Sequence, residues 1–261
     1  MLVVLLPAYN EAGSIPPLLP KIASALGRYE GESMVLLVDD GSSDGTADIA
    51  LEAGATLGVR VDVERHPRNL GLGRALKTGF RLATELAGQD GYVIAMDTDD
   101  THDPALIPLM IERIEGGCDV VIASRYAPGG REVGLSGVRR FLSRGASLLL
   151  TIFSPVRGAR DYTCGYRAYR GSILVEAHQV WGDEFIAEEG FVASAEILLK
   201  LGRLGARVGE VPLVLRYDLK GGASKMRVGR TIGRYLRLVT VGRRALSRRR
   251  GTAGAAGAAA R

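Results

Sequence analysis

Five short runs rich in aliphatic and β-branched residues, MLVVLLPAY, MVLLVDD, VRVDVER, GYVIAMD and CDVVIAS, alternate with helix-length amphipathic segments at 14–28, 44–56, 72–86 and 104–115. That alternation leaves few folds open. Near-continuous apolar strands need cover on both faces, and helical crossovers return the chain parallel to itself, so the pattern predicts an α/β domain with a mostly parallel sheet flanked by helices. Each run also ends in polar residues: Asn10-Glu11, Asp39-Asp40, Asp97-Thr98-Asp99 and Ser124-Arg125. Ligands of open α/β sheets bind beyond the carboxyl ends of strands, so the fold alone would gather these groups in one crevice.

Composition bounds what surrounds that sheet. The 261 residues, 46% hydrophobic, suffice for one large core with appendages. Cys118 and Cys164 stand alone, without C-x-x-C spacing, which points away from a disulfide framework or thiolate metal site and toward a reducing cytoplasm. The first residues meet Pro7 too soon for a signal peptide, and no run of eighteen apolar residues occurs. Charge is uneven: from Arg216 onward 13 Lys and Arg face one acid, a balance of +12, whereas the preceding residues sum to −7. Such a block suits nucleic acid, an anionic membrane face or a phosphorylated substrate. No aromatic-basic nucleic-acid module accompanies it, and an acidic crevice would be idle in a nucleic-acid binder.

After residue 125 the pattern changes. Segment 139–153 (RRFLSRGASLLLTIF) is too short to cross a bilayer and fits either a bilayer surface or a core. A strand-like CGYRAYR follows, then a Glu-rich helix start at Asp183–Glu189, the helix VASAEILLKLGRLG, the strand RVGEVPLVLRY and a basic helix from Ser224 to Ser247. The final RRRGTAGAAGAAAR is low in complexity and unsuited to packing.

Side chains at i and i+2 of an extended segment point the same way, so Asp97 and Asp99 present paired carboxylates. Such a pair shares a proton or takes a cation, and Mg²⁺ or Mn²⁺ completed by substrate phosphates fits oxygen ligands of this kind. Asp103-Pro104 reads as an N-cap with Pro at N1. His102 reads as a supporting contact for the acids. Ser43 or Asp44 is placed to cap the helix after the second strand, which leaves two consecutive acids, Asp39 and Asp40, one of them able to accept hydrogen bonds from a nucleobase edge. GLGRAL lacks the third glycine of a dinucleotide fingerprint, and no Walker motif occurs. Arg125 and Lys225 offer counter-charges to phosphate, Lys225 after a glycine loop able to close. Arg167 and Arg170 either bind an anionic acceptor or line the sheet edge.

PAYNE (7–11), VDDGSSDGT (38–46), NLGLGRALKTGF (69–80), DTD (97–99), ASRY (123–126), TCGYRAYR (163–170) and GGASKM (221–226) occur in that order. Together they resemble the family 2 glycosyltransferases of GT-A fold, in the dolichol-phosphate mannose synthase-like or polyprenyl-phosphate branch. The resemblance implies a nucleotide-diphosphate sugar, GDP-mannose or a UDP-sugar, bound by Pro7, Tyr9 and Glu11, with Val38 and Asp40 against the base. Asp97, Thr98 and Asp99 would hold metal and diphosphate, Arg125 and Lys225 would contact phosphates, and Asp99, Arg125 and Lys225 would carry catalysis. The acceptor it implies is a polyprenyl monophosphate, glycosylated with inversion; a soluble acceptor is the alternative. Two positions depart from the pattern. Thr101, after the extra acid Asp100, stands where relatives carry a metal-binding Gln, and Leu219 stands where they carry an Arg, leaving Arg216 or Lys220 to replace it. The expected organisation is a catalytic domain over 1–223, a membrane-apposed basic helix over 224–247 and a disordered tail over 248–261. The chain is then a peripheral protein on the cytoplasmic membrane face, on its own charge or through an anchoring partner.

Overall fold

The structure, a computed structural model, describes residues 1–219, 233–235 and 238. The expected βα alternation is present. β1 (Leu2–Ala8), α1 (Ile15–Leu26), β2 (Ser33–Asp39), α2 (Thr46–Leu57), β3 (Val61–Arg65), α3 (Leu72–Ala87), β4 (Tyr92–Ala95), α4 (Ile107–Glu115) and β5 (Val120–Ser124) follow one another. Leu2 to Leu6 are wholly buried. A strand covered on both faces needs apolar side chains at every position, and burial of each contributes roughly 1.5–3 kcal/mol.

With β7 (Arg167–Arg170) and β8 (Val208–Pro212), the seven-stranded sheet has the order β3-β2-β1-β4-β7-β5-β8. β7 enters between β4 and β5 and runs antiparallel to both, whereas β8 pairs parallel with β5. The sheet is therefore mostly parallel, with a reversed strand drawn from CGYRAYR. β1 lies between β2 and β4, so the chain order reverses there and opens a crevice above the carboxyl ends of these strands.

Beyond β5 lie β6 (Arg131–Val133), α5 (Gly137–Phe153), α6 (Gly171–Trp181), α7 (Val192–Arg203) and β9 (Val214–Arg216), the last pairing with β6 in a separate two-stranded sheet. The Glu-rich helix expected at 183–189 is corrected: α6 ends at Trp181, a 3₁₀ turn covers Gly182–Glu184, and irregular chain follows to α7. The cause is tertiary. Glu196 of α7 accepts the N–H groups of Ala187 (2.9 Å) and Glu188 (2.8 Å), pinning them outside any helical ladder. In α5, Ser147 and Leu150 are buried, whereas Phe141, Leu148, Ile152 and Phe153 face solvent, so one face of the segment packs and the other is left exposed. Among the described residues no helix is long and apolar enough to cross a membrane. Of the expected basic helix 224–247, only 233–235 and 238 are described, and the tail 248–261 lies outside the described residues.

Candidate active site

The crevice above β1, β2 and β4 is a cleft of about 180 Å³. Pro7, Tyr9, Glu11, Asp40, Asp97, Thr98 and Asp99 all line it. Sequence reasoning had not singled out Asn69, Leu72 or Phe191 as site residues, yet they line it too. The first two fall inside the quoted NLGLGRALKTGF; Phe191 carried no signal, because it arrives from a loop more than ninety residues after β4.

Hydrogen bonds join the loops after β1 and β2 into one wall. Asn10 accepts from the Ser43 N–H (2.9 Å) and donates its own N–H to the Ser42 hydroxyl (2.9 Å). The Glu11 N–H bonds to Thr46 Oγ1 (2.9 Å) and the Ala12 N–H to Asp44 (3.0 Å). Asp44 accepts from the Thr46 N–H (3.1 Å), although the N-cap position of α2 falls on Gly45. Partial burial pulls the Asp44 pKa upward, but these bonds from Thr46 and Ala12 outweigh it and leave the carboxyl below its ordinary value. Gly41, at φ +74°, lets the 68–69 backbone pass close, since a Cβ there would stand 2.4 Å from the Arg68 carbonyl carbon.

Asp40 is buried at the floor. Its Oδ1 accepts from the Leu70 N–H (2.9 Å) and meets His66 Nδ1 (2.7 Å), whose Nε2 lies 3.0 Å from Thr78 Oγ1; Oδ2 accepts from the Gly71 N–H (2.7 Å). The second carboxylate oxygen thus keeps acceptor capacity toward the cleft. Val38 is not brought to the cleft: its buried side chain faces α3, where a Cβ on Gly79 would meet it at 3.1 Å.

DTDDTHD divides into separate tasks. Thr98 donates its hydroxyl to the Pro7 carbonyl (2.8 Å), tying the end of β4 to the end of β1. Asp97, 36% exposed, opens to the cleft beside Gly165. Its N–H donates to His102 Nδ1 (3.2 Å), and the His102 ring stacks on Tyr166 at 5.2 Å, which bears out a supporting role for this histidine. Asp99 Oδ1 accepts from the Thr101 hydroxyl (2.6 Å), so the residue that departs from the family pattern aims this carboxylate. Asp100, at φ +57°, turns away to Lys21 of α1, whose Nζ meets both oxygens (2.8 and 2.6 Å). Asp103 accepts from the Ala105 N–H (2.9 Å) and caps the 3₁₀ turn Pro104–Leu106, as expected. Two hard-oxygen carboxylates on one cleft wall fit a divalent cation completed by substrate phosphates. Among the described residues no group of three acidic, His or Cys side chains could hold one alone.

Arg125 does not line this cleft. It is nearly buried, with Nε and Nη2 each 2.7 Å from Asp161 and Nη2 also 2.6 Å from Thr163 Oγ1. Burial opposes its charge, yet Asp161 more than compensates and raises its pKa further; burial likewise pulls the Asp161 carboxyl up, and Arg125 holds it below the usual range. Arg167 and Arg170 are structural. Arg167 is wholly buried on the carbonyls of Tyr162 and Ser194, and Arg170 bonds those of Ile114 and Cys118. Arg216 pairs with Asp218 (2.8 Å), while Lys220 and Lys225 lie outside the described residues.

A second buried pair sets the rim. Lys200 Nζ donates to Glu196 (2.6 Å) and to the carbonyls of Glu184 and Phe185 (3.2 Å for the latter), fixing the loop that carries Phe191 to the cleft. Gly73 admits this loop, since a Cβ would stand 2.5 Å from the Glu188 carbonyl oxygen. This glycine serves packing between α3 and the loop.

A parallel-sheet domain with paired acids at the end of β4 has the GT-A architecture of glycosyltransferases. Residues 3–176 match the model of glycosyl transferase family 2, and the chain belongs to that family. It is a glycosyltransferase. It is 35% identical over 225 residues to an undecaprenyl-phosphate mannosyltransferase of Micrococcus luteus, covering 86% of this chain and 87% of that one. It is 34% identical over 237 residues to a dolichol-phosphate mannosyltransferase of Pyrococcus furiosus, covering 90% of this chain and 61% of that longer one. The fold is shared with glucosyl-3-phosphoglycerate synthase from Mycobacterium tuberculosis, solved with Mn²⁺, UDP-glucose and phosphoglyceric acid. There the TM-score is 0.61 at 19% identity, over 94% of this chain and 79% of that one.

Proposed function

We propose that this enzyme moves a hexose from a nucleotide-diphosphate sugar to a polyprenyl monophosphate with inversion at the anomeric carbon. The observation that carries the reading is the meeting of Pro7, Tyr9, Glu11 and Asp40 with Asp97, Thr98 and Asp99 around one cleft. The two mannosyltransferase relatives support a lipid-phosphate acceptor and a mannose donor.

In this reading Pro7 and Tyr9 flank the nucleoside, Glu11 closes the β1 side, and Asp40 accepts from the base edge. Asp97 and Asp99 would hold Mg²⁺ or Mn²⁺, which when bound would offset charge on the leaving diphosphate. An acceptor phosphate is already anionic at neutral pH, so its oxygen attacks without a strong general base, and rate comes from alignment and charge stabilisation. Arg125, set apart from the donor cleft, belongs to the acceptor phosphate, and Lys225 to a phosphate of either substrate. In this reading the exposed apolar face of α5 and the basic residues after Arg216 bind an anionic membrane surface, each nearby Lys or Arg adding roughly 1 kcal/mol.

The test is turnover of GDP-mannose and of UDP-sugars, with Mg²⁺ or Mn²⁺, with and without polyprenyl phosphate. Lipid-dependent transfer to a phosphodiester-linked product is expected. Turnover that ignores the lipid but responds to a soluble phosphorylated acceptor overturns the lipid assignment.

A further inference from the structure

Glu132 is hard to explain as a structural acid. Its side chain is 2% exposed and lies between two guanidinium groups, with Oε1 3.4 Å from Arg125 Nη1 and Oε2 3.2 Å from Arg140 Nε. Among the described residues neither Glu132 oxygen accepts an aligned hydrogen bond, and the buried Arg140 Nε donates none. An arginine–carboxylate pair that has settled forms short, often parallel N–H···O bonds. This carboxylate has given up water for Coulomb attraction alone, and a buried acceptor without bonds is costly.

The two sides of this seat differ in how firmly they are held. Arg125 is locked, because Nε and Nη2 are committed to Asp161 and Thr163, which leaves Nη1 as the nitrogen facing Glu132. Glu132 sits on the three-residue strand β6, outside the main sheet and between Gly130 and Gly134. A change of side-chain rotamer, with β6 in place, moves its carboxylate away. Arg140 belongs to α5, next to Phe141, and the exposed residues Phe141, Leu148 and Ile152 recur at helical spacing along that helix. An apolar tail laid on this stripe would bring a phosphate head to Arg140.

We propose that the Glu132 carboxylate is a place-holder for the acceptor phosphate, occupying the seat between Arg125 and Arg140 until a phosphate monoester at the head of an apolar chain displaces it. This rests on the acceptor assignment made above. A phosphate monoester carries nearly two charges and three acceptor oxygens, so it can bond both guanidinium groups at once. The seat then favours dianionic phosphate over weaker anions, which cannot expel Glu132.

Binding of inorganic phosphate and of farnesyl phosphate to the full chain, followed by titration calorimetry, reads this directly. Glu132→Gln should tighten both by roughly tenfold, because the occupied state no longer competes. Arg140→Gln should weaken both, and farnesyl phosphate should bind more tightly than inorganic phosphate. A folded Glu132→Gln chain with unchanged or weaker phosphate affinity overturns the proposal. Should that variant lose its cooperative melt, Glu132→Asp withdraws the carboxylate by one methylene and should tighten phosphate by a smaller factor; no tightening is equally fatal. Lipid-dependent transfer by the unaltered enzyme without tightening in Glu132→Gln removes the place-holder and keeps the acceptor reading. Tightening for inorganic phosphate alone, without lipid-dependent transfer, keeps the anion seat and removes its lipid.

Discussion

The proposed donor side and the proposed acceptor side of this enzyme are built by different means. Above β1, β2 and β4 the wall is made of side chains bonded to backbone N–H groups, as with Asn10 and Ser43, Asp44 and Ala12, or Asp40 with Leu70 and Gly71. Around β5, β6 and α5 it is made of paired charges, Arg125 with Asp161 and Arg140 with Glu132, beside an exposed apolar helix face. Backbone donors fix a loop in one shape at little electrostatic risk. Paired charges are stable only while both partners stay, and a third charge can exchange with one of them. The donor side is thus suited to a nucleotide held the same way each cycle, the acceptor side to an anion that enters and leaves.

The largest expected break falls on the donor side. Asp97→Ala and Asp99→Ala should each lower metal-dependent transfer by about three orders of magnitude, the scale of losing electrostatic support for a leaving group. Asp97→Ala should do so with little change in unfolding midpoint, since that side chain is 36% exposed. Asp161→Asn should show the opposite balance. It leaves the buried Arg125 with Glu132, 3.4 Å away, in place of its bidentate partner, and breaking a buried pair of this kind costs about 3–5 kcal/mol in denaturant unfolding. If Asp161→Asn proves as stable as the parent chain, the contrast between the two sides fails.

Acid titration sharpens the comparison further. Asp44 and Asp161 are both held below the ordinary carboxyl range, so near pH 4 the folded chain binds fewer protons than the unfolded one. The stability they contribute is present above the unfolded value of about 3.9 and is lost as pH falls through their lower folded values. The urea midpoint should therefore drop on the acid side, and Asp44→Asn should flatten part of that drop by lowering the midpoint at neutral pH, where the Asp44 carboxylate contributes, and not below its folded value. A smaller effect concerns the thiols. Burial pushes Cys164 up to about 12, so in the native chain a thiol reagent should modify the partly exposed Cys118 and leave Cys164 until unfolding. The least effect on stability is expected from Leu148→Ser on the exposed face of α5, within about 0.5 kcal/mol, together with weaker pelleting on anionic liposomes. Unchanged pelleting would detach α5 from membrane binding.

Much of the cleft proposed for the donor was legible because it is local. Five apolar runs ending in polar residues carry their own placement: a parallel sheet sends those ends to one edge, and Asp40, Asp97 and Asp99 follow. The N-cap at Asp103 was equally plain, since cap and partner are two residues apart. Contacts across long separations were not legible. Arg125 at the end of β5 looked like a free counter-charge, but its partner Asp161 is 36 residues away. The acids at 183–189 looked like a helix start, but Glu196 and Lys200 hold that loop from the next helix.

By itself, the sequence determined the fold class, the edge of the sheet where chemistry gathers and the acidic pair at its centre, because periodicity and strand ends act over a few residues. Only the tertiary structure decided the rest. It showed that Thr101 aims Asp99, that Asp100 is neutralised by Lys21, and that Glu132 fills an arginine-lined seat. Those outcomes depend on which side chains meet across the core, and charge pairing over such separations leaves no periodic trace in the order of residues.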